Sequence, residues 1–194
     1  MGNIIRRISA FFVDIIETVV ISLSIFLVVY LFLVQPHQVS GLSMFPSFHD
    51  KEYILTDKVT YRLSDPKRGD VVVFHAPDRA QCPKGTGCDF IKRVVGLPGE
   101  TVQIINNKLY VNDKALDESS YLAKDVLTNP EAFIGERQVQ LGENQYFVVG
   151  DNRPHSSDSR QWGPIGKEEI VGRGFLRYWP PPTFGLIPKA SYKF

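Results

Sequence analysis

The strongest constraint on this chain is the run Thr18–Val34, TVVISLSIFLVVYLFLV, seventeen positions without a charge. As a helix it is about 26 Å long, and Ile15 and Ile16 extend it toward the roughly 30 Å hydrocarbon core of a bilayer. No polar stripe marks a solvent side, which argues against a buried helix of a water-borne domain. Asp14 and Glu17 fall at one interface, and Pro36 ends the run at the other. The run exceeds the ~7–15 apolar residues of a cleaved signal peptide, and no A-x-A-like site follows it, so it reads as an uncleaved signal anchor. Arg6 and Arg7 precede it, while the next twenty residues beyond it hold one cation, Lys51, beside Asp50 and Glu52. By the positive-inside rule the N-terminus lies in the cytoplasm. The expected division is a short cytoplasmic N-terminus (1–14), a transmembrane anchor (15–35) and an extracytoplasmic β-rich domain (37–194).

Beyond residue 36 short apolar or alternating runs are separated by turn residues. The expected strands are Tyr53–Thr56, Val71–His75, Phe90–Val95, Thr101–Ile105, Lys108–Val111, Gln138–Leu141, Gln145–Val149 and Ile170–Tyr178. Asn106-Asn107 reads as a hairpin turn, because asparagine tolerates positive φ. A helical period is present only over Tyr121–Thr128. The fold class is mainly β: one transmembrane helix, then an antiparallel sheet system, closed or folded over. A formal charge of +1 gives no basic surplus for nucleic acid. Two cysteines build neither a disulfide scaffold nor a four-cysteine zinc site. Cys82 and Cys88 form a short-loop disulfide in an oxidising compartment or remain two thiols in a reducing one, and the sequence leaves both open. A bridge there would pin its loop locally.

No recognised metal or phosphate motif is present. His37, His49, His75 and His155 fall in no metal-ligand spacing, and there is no G-x-S-x-G elbow or Walker A loop. Four segments remain. Ser40-Gly41-Leu42-Ser43-Met44-Phe45-Pro46 begins just past the bilayer exit. Arg68-Gly69-Asp70 leads into a strand. Phe90–Glu100 contains Lys92, which shares one strand face with Phe90 and Val94. Apolar neighbours there would strip the lysine of water and lower its pKa. Gly150–Arg160 alternates Ser, Asp and Arg. Singly each has an ordinary explanation: a solvated serine, a surface lysine lying on its stem, a turn network.

Together and in this order, behind an N-terminal span, the four segments resemble the bacterial type I signal peptidases, membrane-bound Ser/Lys endopeptidases that remove signal peptides. The boxes S-G-L-S-M-F-P, R-G-D-V-V-V-F, K-R-V-V-G-L-P-G-E and G-D-N-R-x-x-S-x-D-S-R cover nearly the whole chain. The resemblance implies that Ser43 is the nucleophile, Lys92 the general base and Ser156 the hydroxyl that orients the lysine. Asp158 and Arg160 match a supporting pair, and Asp151 belongs to the same loop. Some members carry a serine two positions before the nucleophile; here Gly41 stands there, so backbone N–H groups, Ser43's among them, would form the oxyanion hole. The implied substrates are exported preproteins cut after small residues (A-x-A), and the other partner is membrane lipid. The implied place is the bacterial cytoplasmic membrane, single-pass, N-terminus inside. No cofactor or metal, no nucleic acid, and a monomer are expected.

Three rivals compete. Another Ser/Lys protease, of the self-cleaving repressor type, would need a DNA-binding helix pair. A catalytically silent, tethered β-domain binding exported chains would be expected to lose Ser43 or Lys92, and this chain has both. An adhesion module would use Arg68-Gly69-Asp70.

Overall fold

The structure, a computed structural model, describes residues 2–80, 82, 88–123 and 125–192. It begins with one long helix, α1 (Gly2–Phe32). Within it Arg6–Phe32 is long and apolar enough to cross a membrane, and none of its most apolar window is buried against the rest of the chain. Phe11, Leu23 and Phe26 are all more than half exposed, so α1 fits a transmembrane helix. The helix continues through residues expected to precede the anchor, and it ends before Val34 and Gln35, which belong to a strand.

The strands among the described residues are β1 (Val34–Gln38), β2 (Tyr53–Asp57), β3 (Val71–His75), β4 (Asp89–Gly96), β5 (Thr101–Ile105) and β6 (Lys108–Val111). They continue with β7 (Lys114–Ala115), β8 (Val139–Gln140), β9 (Gln145–Val149), β10 (Ile165–Gly166), β11 (Ile170–Trp179) and β12 (Gly185–Leu186). Two short helices, α2 (Thr60–Leu63) and α3 (Ser159–Trp162), lie between strands. The larger sheet runs β1-β2-β11-β3-β4-β9-β10, with β12 on β11; the smaller runs β7-β6-β5-β8. Every pairing is antiparallel. β1 is an edge strand, where Pro36 costs no ladder bond to a further neighbour.

Alternation places the core. On β3, Val71 and Val73 pack with Val39, Met44, Phe48 and Ile54, while Val72 and Phe74 pack with Val94, Tyr146, Val148 and Trp162. β3 is therefore buried on both faces. The smaller sheet packs Val102, Ile104, Leu109 and Val111 against Val95, Phe147 and Val149 of β4 and β9. The Asn106-Asn107 turn joins Ile105 to Lys108 with both asparagines at positive φ, as a two-residue hairpin of right-handed twist requires.

The described residues of 121–128 form turns rather than a helix. Tyr121 and Thr128 are drawn inward instead, toward Arg153, which donates to both, and those tertiary contacts override the local period. Cys82 and Cys88 are joined as a disulfide, with Cα atoms 6.0 Å apart; residues 83–87 lie outside the described set. Arg68-Gly69-Asp70 is spent inside the fold. Asp70 accepts from Tyr61 Oη (2.9 Å) and the Lys67 N–H (3.0 Å), and Arg68 pairs with Glu100.

Candidate active site

Ser43 sits in the turn that follows β1, and Lys92 sits mid-strand on β4. Their sequence separation is closed by the sheet: Lys92 Nζ donates to Ser43 Oγ at 2.8 Å. A second bond runs from Nζ to the Ile91 carbonyl at 3.1 Å. Phe90 and Val94, on the same face, pack in one cluster, and Nζ lies 5.1 Å from the Phe90 ring centroid. Only 4% of Lys92 is exposed. Burial pulls its pKa down to about 8; Asp158 and Asp151 pull it back up, and Arg160 adds to the lowering. Desolvation dominates because neither carboxylate touches the amine.

The loop after β9 holds the Ser43 turn in place. The Asn152 N–H donates to the Ser43 carbonyl (3.0 Å) and Asn152 Nδ2 to the Leu42 carbonyl (3.0 Å). Gly150 packs so closely that a Cβ there would collide with Ser156 Oγ and the Ser43 carbonyl. Ser156 therefore stands beside the Ser43 turn. Its buried hydroxyl has no hydrogen-bond partner among the described residues, so the bond to lysine that the resemblance implies is not made here.

Asp158 and Arg160 frame this loop. Asp158 is the N-cap of α3, accepting from the Arg160 N–H (3.1 Å), and takes the Gly150 N–H at 3.0 Å. The Arg160 side chain grips both its oxygens at 2.8 Å and donates to the Arg153 and Ser156 carbonyls. Asp151 receives Arg93 in a two-pronged pair, 2.9 and 2.7 Å. Arg93 loses hydration there, but the bonds and charge of Asp151 outweigh the loss and hold its pKa above the ordinary value.

Two residues of the last box, to which the sequence reading assigns no role, also carry contacts at the site. Asn152 is one. The other is Arg153, fully buried, which donates to the Gly150 carbonyl (2.9 Å) and pairs with Glu118, thirty-five positions away. No local pattern announces so distant a partner. Gly41 has positive φ and its N–H donates to Asp50 Oδ1 at 2.8 Å. That N–H is already engaged; the Ser43 N–H makes no hydrogen bond among the described residues. The pair opens onto a cleft of about 200 Å³ lined by Val39, Ser40, Met44, Asp89, Phe90 and Ile91, among others. No group of three or more potential metal ligands occurs among the described residues.

A hydroxyl bonded to an amine brought near neutrality is a nucleophile–base arrangement suited to acyl transfer. Residues 12–179 match the family model described as signal peptidase, peptidase S26. The chain belongs to the S26 signal peptidases. It is a serine peptidase, a hydrolase. Among similar proteins, the probable signal peptidase I-2 of Synechocystis is 38% identical over 80% of this chain and 68% of that protein. The signal peptidase I of Leptolyngbya laminosa is 33% identical over 91% of this chain and 85% of that one. A crystal structure of a signal peptidase I from Enterococcus faecalis aligns with a TM-score of 0.44 and 29% identity, covering 57% of this chain and 97% of that one.

Proposed function

We propose that this S26 peptidase removes signal peptides from exported preproteins, cutting after small residues of the A-x-A type, with Ser43 as nucleophile and Lys92 as general base. The observation that carries the reading is the 2.8 Å contact between Lys92 Nζ and Ser43 Oγ. At an unperturbed pKa a lysine is neutral in roughly one molecule in a few thousand at pH 7; at about 8 the share rises to roughly one in ten. Neutral Lys92 takes the Ser43 proton as Oγ attacks the scissile carbonyl, then returns it to the leaving amine. Water hydrolyses the acyl-enzyme with Lys92 again as base. The Ser43 N–H stabilises the oxyanion, a contribution that in other hydrolases is worth about 10²–10³ in rate. Asp158, Arg160, Asp151 and Ser156 support the site.

In this reading α1 anchors the enzyme in the bacterial cytoplasmic membrane with Arg6 and Arg7 inside. The β-domain lies on the extracytoplasmic face, where an exported chain emerges. Ser43 follows α1 by only eleven residues, which keeps the site near the bilayer. An oxidising exterior also suits the Cys82–Cys88 bridge.

The test is cleavage of a preprotein whose signal ends in A-x-A, by the full chain in detergent micelles. Wild type cleaves it with or without a chelator. Ser43→Ala and Lys92→Met each lose at least about 10⁴-fold, and the double variant loses no more, because the two act as a unit. Activity that survives Lys92→Met moves the base elsewhere. A folded wild-type protein that binds the preprotein without cleaving it fits a tethered binding domain instead.

A further inference from the structure

The cleft that holds Ser43 and Lys92 has one carboxylate in its lining, Asp89, the first residue of β4. The base does not depend on it: the carboxylates that act on Lys92 are Asp158 and Asp151. Yet Asp89 is firmly held. His75, its partner across β3–β4, brings Nδ1 to 2.7 Å from Oδ1. His37 of β1 lies nearby, its Nε2 3.4 Å from Oδ2 without a hydrogen bond, and its Nδ1 lies 2.9 Å from Thr56 Oγ1. The backbone is fixed as well, since the Ala76 N–H donates to the Cys88 carbonyl at 2.8 Å and Cys88 is bridged to Cys82.

Burial lowers the pKa of His37 despite the pull of Asp89, which favours the neutral imidazole. Each carboxylate oxygen has lone-pair capacity beyond one imidazole contact, and the Asp89 side chain keeps 28% of its surface open. The lining also holds the Lys92 amine, which is turned to Ser43 Oγ; Asp89 is the one acidic group there, and a carboxylate attracts a cation and repels an anion. We propose that Asp89, bonded to His75 at the cleft, is a specificity residue that favours substrates with a basic side chain at the position it faces and disfavours acidic ones there.

The proposal rests on the signal-peptidase reading, and its test separates the two. Peptides with an A-x-A site carry Lys, Ala or Glu, one at a time, at the fifth, fourth and second positions before the cleaved bond and the two after it, with both alanines of the site kept. The full chain in micelles cleaves them at low salt and at 1 M salt. At one position the Lys peptide has a kcat/KM about tenfold above the Glu peptide, equivalent to about 1.4 kcal/mol. The ratio shrinks toward one at 1 M salt, because the Debye length falls to about 3 Å, and in Asp89→Asn at low salt. Equal kcat/KM at every position overturns the proposal. So does a Lys preference that persists at 1 M salt, which would come from shape, or one that persists in Asp89→Asn, which would come from another group. Failure to cleave any peptide, the neutral one included, overturns the peptidase reading itself. The salt series on the wild-type chain decides even if Asp89→Asn does not fold.

Discussion

Lys92 and Arg93 are consecutive residues of β4, both almost fully buried, and they point to opposite faces of one sheet. On the Arg93 face the protein supplies Asp151 in a two-pronged pair, and the cation is secured. On the Lys92 face it supplies a hydroxyl, a carbonyl and an aromatic ring but no touching carboxylate, and the cation is destabilised. Burial is common to both. The difference lies in the partner: a matched carboxylate makes a buried charge structural, and its absence makes a buried amine reactive.

If Arg93 is structural, Asp151→Ala strands a guanidinium in the core and lowers folding stability by about 3–5 kcal/mol, read by urea denaturation. A loss under about 1 kcal/mol would show that Arg93 needs no partner. Lys92 should behave in the opposite sense. Its folded pKa of about 8 lies below the unfolded value near 10.5, so burial opposes folding by about 3 kcal/mol while the unfolded amine is charged. Between those two values the unfolded state binds more protons, and wild-type stability climbs as pH rises from 8 toward 10.5. Lys92→Met removes that climb and is more stable than wild type at pH 7, while abolishing cleavage. A variant less stable than wild type at pH 7 would mean that the lysine pays no desolvation cost. The smallest effect belongs to Ser156→Ala. Its hydroxyl makes no hydrogen bond in the resting site, so stability shifts by less than about 1 kcal/mol, and a loss of several would give Ser156 a structural bond instead.

The larger sheet's inner strands were legible because their patterns are unambiguous. Val71–His75 and Gln145–Val149 match end to end, as do both arms of the Asn106-Asn107 hairpin. Lys92 could be placed on its face from Phe90 and Val94 alone. β1 was hidden because Val34 and Gln35 continue the anchor's run and Pro36 reads as a terminator; only its edge position makes it a strand. Of the four two-residue strands, β8 falls inside the expected Gln138–Leu141, whereas β7, β10 and β12 lie in no run that shows a period. At the site, Ser43 and Lys92 were readable through their boxes, whereas the Asn152 clamp and the Arg153–Glu118 pair depend on contacts between segments far apart in the chain. The disulfide turned on redox compartment, which residue spacing does not report.

The central claim is that burial, with a smaller contribution from Arg160, lowers the pKa of Lys92 far enough for its amine to serve Ser43 as base. The pH dependence of kcat/KM for an A-x-A preprotein, measured on the full chain in micelles, tests it most directly. With neutral Lys92 as the proposed base, the rate should rise about tenfold per pH unit below the pKa of Lys92 and level off near pH 8. A limb that keeps rising toward the ordinary lysine value near 10.4 would contradict the account.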